Sequence, residues 1–282
     1  MKSKKILFPI TIIILLMTLG FFTQSCQAKT ISKKYVQESI PTIFFHGYGS
    51  SYRAETQMTG AAKEAGVTNK IIRVNVSPNG YVKIIGSIPK KAKNPIIEVN
   101  YDNNKMTNYH TAGLWAKNVI TTLQKDYKFK KVNLVGHSMG NMAINYYILD
   151  NYPNKNLPKI NKVVDIAGHF NGIIGEDDEP NRVTLNKAGK PDQMDQYYQE
   201  LLKLRKIYPT NTKVLNIYGD LNDGTHSDGA VTNSSSKSLK YLVSKRAKSY
   251  EEKKIVGKMA QHSKLHENKQ VDKILIKFLW EK

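Results

Sequence analysis

The chain has 282 residues, 40% of them hydrophobic and 23% charged, enough for one large α/β domain with a substantial core. No stretch recurs at a fixed period, which excludes solenoids and propellers. The net charge is +20, and Cys26 is the only cysteine, which excludes an internal disulfide and, from its place near the N-terminus, a cysteine nucleophile or a thiolate metal site.

Residues 1–28 read as a signal peptide or membrane anchor. Lys2, Lys4 and Lys5 form a basic start, and an apolar run follows over residues 6–22. Three endings are compatible with it: cleavage after Ala28, lipidation at Cys26, or retention as an anchor. Cleavage fits best. The residues before Cys26 lack the usual leucine of a lipidation site, and the run is shorter than the roughly 20 residues of a membrane span. Residues 29–39 are polar and read as a linker before a domain over residues 40–282.

Pro41-Thr42-Ile43-Phe44-Phe45 predicts a buried strand, stopped by His46-Gly47-Tyr48-Gly49. Residues 71–76 and 96–101 predict two more strands. Between them a turn at Ser77-Pro78-Asn79-Gly80 leads to a hairpin arm over residues 81–85. Residues 108–127 carry apolar side chains at helical spacing: Ala112, Trp115, Ala116, Val119, Ile120 and Leu123. A strand over residues 131–135 then runs into Gly136-His137-Ser138-Met139-Gly140, and a helix is expected from Asn141 to Leu149. Residues 162–166 and 213–218 predict further strands. The polar stretch between them, residues 168–211, is too long for an ordinary connection. It reads as a cap or lid insertion with one amphipathic helix over residues 194–207. A last strand over residues 251–259 and an amphipathic helix over residues 268–280 close the chain. Strands alternating with helices predict an α/β fold, with a mostly parallel sheet covered on both faces.

The chemistry centres on Gly136-His137-Ser138-Met139-Gly140. The pattern G-x-S-x-G is weak by itself. Between a strand and a helix it acquires a physical meaning, because so tight a turn requires glycine two residues either side of an exposed serine. A serine nucleophile needs a base, an acid that orients it, and donors for the oxyanion. The backbone N–H groups of Tyr48 and Met139 are candidates for the oxyanion hole. Asp220, Asp223 and Asp228 are candidate acids in the loop after residue 218, and His262 and His266 are candidate bases near the C-terminus. His110, His169 and His226 have no such context and read as surface or hydrogen-bonded residues. Asp220-Leu221-Asn222-Asp223-Gly224 is rich in oxygen ligands but misses the spacing of a calcium-binding EF-hand loop, so no metal or cofactor is expected.

Together these residues resemble the α/β-hydrolase superfamily, in particular secreted bacterial lipases and esterases. His46-Gly47-Tyr48-Gly49, Gly136 to Gly140, Asp228-Gly229-Ala230-Val231 and His262 follow in the order seen there. The resemblance implies Ser138 as nucleophile, Asp228 as acid and His262 as base, with Asp220 and His266 as the alternatives. Val271, nine residues after His262, matches a valine that small lipases place in their last helix, and this favours His262. Residues 40–282 are also similar to cell-surface hydrolases of Gram-positive bacteria grouped as a family of unknown function. Asn141 departs from the pattern, since many hydrolases carry a second glycine there.

The resemblance implies an exported serine hydrolase, of esterase or lipase type, that cleaves a small acyl ester or lipid as a monomer. Acyl transfer or thioester cleavage at the same site, and a non-catalytic cell-surface binding protein, are the rival readings. Because the basic residues are scattered, with no strand or helix lined by basic and aromatic side chains together, no nucleic-acid partner is expected. The charge suits electrostatic association with anionic cell-envelope polymers.

Overall fold

The short apolar runs of the sequence assemble into one sheet. The computed structural model describes residues 31–282; the expected leader and Cys26 lie outside the described residues. No helix among the described residues is long and apolar enough to cross a membrane. In chain order the elements begin with β1 (Thr42–Phe45), α1 (Thr56–Glu64), β2 (Ile71–Val76), β3 (Val82–Ile85), β4 (Ile96–Tyr101) and α2 (Tyr109–Tyr127). Then come β5 (Lys131–His137), α3 (Met139–Asn151), β6 (Lys159–Ile166), α4 (Gln196–Leu201) and α5 (Leu204–Ile207). The chain ends with β7 (Lys213–Asp220), α6 (Asn233–Lys237), α7 (Leu239–Val243), β8 (Ser249–Val256) and α8 (Lys269–Trp280).

The eight strands lie in the order β3-β2-β4-β1-β5-β6-β7-β8, and only the β2–β3 hairpin is antiparallel. Both faces are covered, so successive residues of a central strand enter different cores. Ile43 and Phe45 join the core beneath α2 and α3, while Phe44 joins the core beneath α1 and α8. Connections leave β1 and β5 in opposite directions along the sheet. The cleft at their carboxyl ends is therefore a topological switch point, where α/β sheets place their ligands.

α3 has no polar stripe because it is enclosed nearly all round: Gly140 to Leu149 are buried. α2 packs so closely on it that a Cβ on Gly113 would lie 2.8 Å from the backbone of Tyr146 and Tyr147.

Two expectations need correction. Residues 31–39 are not a free linker. Tyr35 is buried and bridges Glu281, and the Val36 N–H donates to the Trp280 carbonyl (2.8 Å), because the ring finds apolar cover beside α8. The insertion at residues 168–211 holds two short helices, α4 and α5, in place of one long one. Its apolar side chains Tyr198, Leu201, Leu204 and Tyr208 are buried in the same core as α2 and α3, so it does not stand apart as a separate layer.

The segment leading into α1 carries a buried cost. Glu55 is fully buried, and neither carboxylate oxygen has a hydrogen-bond partner among the described residues. Burial, and secondarily the nearby Glu98, push its carboxyl from the ordinary 4.5 up to about 8. Between these values the folded protein holds a proton that the unfolded chain has released, so this group lowers stability as pH rises from 4.5 to 8. Glu55→Gln should remove that slope. Relative to its offset at pH 4.5, the variant should gain a few kcal/mol over the parent by pH 8.5, seen in thermal unfolding at both pH values. An offset that stays constant with pH would refute the assignment.

Candidate functional site

The site is built where β5 turns into α3. Ser138 takes φ 52° and ψ −119°, in the left-handed region, at a cost of order 1–3 kcal/mol. Its N–H donates to the Ile166 carbonyl (2.9 Å), which anchors the turn to β6. The flanking glycines are sterically required. A Cβ on Gly140 would lie 2.0 Å from the Phe45 carbonyl oxygen, and one on Gly136 would lie 2.6 Å from Asn141 Oδ1.

Asn141, the departure from the family pattern, braces this turn. Its Nδ2 donates to the carbonyls of Ser138 (3.0 Å) and Ile166 (2.8 Å), and its Oδ1 accepts from the Ile166 N–H (3.3 Å). A glycine there could make none of these bonds.

Ser138 Oγ lies 2.9 Å from His262 Nε2, and His262 Nδ1 lies 2.8 Å from Asp228 Oδ2. The carboxylate accepts from Nδ1–H, which leaves Nε2 free to accept the serine proton. Asp228 is buried at 1% exposure, and its Oδ1 accepts from the N–H groups of Ala230 (2.9 Å) and Val231 (2.7 Å). The His262 N–H donates to the Asp228 carbonyl (2.9 Å), so the segments carrying the two residues are stitched together by backbone. The insertion props the Asp228 loop in turn. The Ile174 N–H donates to the Ala230 carbonyl (2.9 Å), and Thr232 Oγ1 donates to the buried Asp178 carboxylate (2.6 Å).

Of the alternatives from sequence, neither reaches the serine. Asp220 is held by Lys254 Nζ (2.6 Å), Asn233 Nδ2 (2.8 Å) and the Asn222 N–H (2.8 Å). Burial would raise its carboxyl, but Lys254 and these donors bring it below its ordinary value. His266 is half-buried. Its ring packs edge-on against His137, with centroids 4.9 Å apart, and its Nδ1 has no hydrogen-bond partner among the described residues. Val271 lies fully buried in α8, a packing residue of the core below the base loop.

The loop after β1 lies directly over the serine: a Cβ on Gly47 would sit 3.1 Å from Ser138 Cβ. The Tyr48 side chain points to solvent, 54% exposed, and its backbone N–H has no acceptor among the described residues. The Met139 N–H opens α3 and therefore has no acceptor within the helix. Neither N–H is engaged by an acceptor among the described residues.

Two histidines that sequence reading left without a role hold this frame. His46 Nε2 accepts from the Tyr101 N–H (3.1 Å), so Nδ1 carries its proton and donates to the Gly47 carbonyl (2.8 Å). Burial lowers its pKa and keeps this neutral form. His137 Nε2 donates to the His262 carbonyl (3.0 Å). Burial first, and then the adjacent His262 and His266, hold His137 neutral. Their places inside the two glycine motifs were the available signal. His169, read as a surface or hydrogen-bonded loop residue, is a buried loop residue whose Nε2 hydrogen-bonds with Tyr109 OH (3.2 Å).

The chain is similar to several solved structures. The product of gene lin2722 from Listeria innocua is 28% identical, with a TM-score of 0.77 over 86% of this chain and 94% of that one. A Lactobacillus plantarum protein, provisionally described as a cell surface hydrolase, is 20% identical, with a TM-score of 0.67 over 85% and 89% of the two chains. No curated protein matches. The family model for an "alpha/beta hydrolase of unknown function (DUF915)" matches residues 29–282, nearly the whole chain including the elbow and both loops, and the chain belongs to that family.

Proposed function

We propose that the protein is an exported serine hydrolase that cleaves carboxylic esters. The observation that carries this reading is the continuous Asp228–His262–Ser138 hydrogen-bonded chain beneath two unengaged backbone donors. His262 takes the proton as Ser138 Oγ attacks the ester carbonyl, and Asp228 orients and stabilises the imidazolium. The Tyr48 and Met139 N–H groups receive the oxyanion. His262 then protonates the departing alcohol, and water, activated by the same histidine, releases the acid from Ser138. This chemistry uses groups of the chain alone.

Export is supported by the signal-like residues 1–28 and by the description of the Lactobacillus protein. The basic charge, +20 for the full chain and +17 without Lys2, Lys4 and Lys5 of the leader, would hold the exported monomer near anionic envelope polymers in a salt-sensitive way. A fluorophosphonate probe tests the reaction class. The parent protein should be labelled and Ser138→Ala should not; equal labelling of the two, or none, would overturn the reading.

A further inference from the structure

A cavity opens beside the serine, on the oxyanion side. Gly47 and Met139 form its inner edge; Met139 follows Ser138 in the chain and a Cβ on Gly47 would lie 3.1 Å from Ser138 Cβ, while the Ser138 side chain itself does not line the cavity. Met106 stands in its wall, and Tyr101, Trp115 and Ala143 close it off. These last three are buried, and the cavity has room for about one water-sized group.

Several of its walls are held by contacts elsewhere. Tyr101 packs edge-on against His46 (5.1 Å between centroids) and against Trp115 (5.5 Å). Trp115 is blocked behind by the Ser77–Gly80 turn, where a Cβ on Gly80 would come within 3.0 Å of its ring. The close approach of α2 to α3 at Gly113 prevents the two helices that carry Trp115 and Ala143 from closing further or re-seating. The loop before α2 is tied to the oxyanion loop twice. The Gly49 N–H donates to the Asn104 carbonyl (2.8 Å), and Asn104 Nδ2 donates to the Ser50 carbonyl (2.7 Å). A long acyl chain could enter only by breaking these contacts.

We infer that this cavity is the acyl pocket and that it restricts the enzyme to acetyl and other very short acyl esters. The inference rests on the serine-hydrolase reading and adds the substrate class to it. A methyl group is about the size of the water the cavity admits, whereas each further methylene needs space that the walls deny. A pocket that accepted long chains would gain about fourfold in kcat/KM per buried methylene; this one should gain nothing beyond the first or second.

The test is a series of nitrophenyl esters from acetate to octanoate, run beside fluorophosphonate labelling. Acetate should exceed octanoate at least tenfold in kcat/KM. Met106→Ala, which opens the half-buried wall, should raise the butyrate-to-acetate ratio about fourfold or more. Ala143→Val, which fills the cavity, should lower it. If Ala143→Val does not fold, Met106→Ala decides the matter alone. Octanoate cleaved faster than acetate by a protein that labels at Ser138, or a ratio unmoved by Met106→Ala, would overturn the pocket assignment while leaving the serine reading intact. Failure of labelling would overturn both.

Discussion

His262→Ala should lower kcat/KM toward a short nitrophenyl ester by about a million-fold, close to the loss expected for Ser138→Ala. The two effects are similar because the residues act as one unit. Without Nε2 at 2.9 Å, the Ser138 hydroxyl keeps its proton and is a weak nucleophile. Without Oγ, the base has nothing to activate. The double variant should therefore be no slower than either single one, and residual hydrolysis should come from the Tyr48 and Met139 donors. His266→Ala should change the rate by less than about tenfold, because its ring supports His137 and bonds neither Ser138 nor a carboxylate. Steady-state kinetics on the three variants discriminates sharply: a larger loss at position 266 than at 262 would exchange their roles.

Asp228→Asn should cost about ten-thousand-fold in kcat. The reason lies in how the carboxylate is held. Oδ1 accepts two backbone N–H groups, from Ala230 and Val231, and only an oxygen can occupy that place. The introduced amide must therefore turn its NH2 toward His262. Two donors would then face each other unless the imidazole moves its proton to Nε2, and in that tautomer it cannot accept from Ser138. Asp220→Asn leaves this network untouched. It should change the rate by less than about tenfold, its effect falling on the Lys254 ion pair and on the loop start that Asp220 holds through the Asn222 N–H. Pre-steady-state measurement of the acylation burst would locate the Asp228 effect in the chemical step; an unchanged burst would argue against the assigned role.

Much of this architecture was legible from residue order. The runs at residues 42–45, 71–76 and 96–101 became β1, β2 and β4: β1 is buried along its whole length, as a strand covered on both faces is, while β2 alternates buried and half-buried residues at the period of a strand. The turn at Ser77–Gly80 became the β2–β3 hairpin. By contrast, α1 had left no readable trace. Its sequence, TQMTGAAKE, buries only Met58, Thr59 and Ala62, a stripe too thin to stand out from a polar loop. The helices α6 and α7 are five residues each, too short to show a period. The helix expected over residues 194–207 was read from real apolar spacing. The chain breaks it between Leu201 and Leu204, and its side chains go into the main core.

The sequence by itself placed Ser138 on a tight strand-to-helix turn, because glycine on both sides of it is a local steric demand that no other residue satisfies. It also determined the order of its partners along the chain. Choosing among those partners needed the fold. Asp220 ends β7 and Asp228 lies eight residues further on in the loop that follows, and His262 and His266 are four apart in one short 3-10 helix. Local chemistry does not separate the members of either pair. Contacts between distant segments do: His262 meets Ser138 across 124 residues and Asp228 across 34, at the switch point to which β5 brings Ser138. The width of the cavity beside the serine belongs to the fold for the same reason. It is set by α2, α3 and two loops pressed against one another, and packing of that kind is a property of surfaces that meet only after folding.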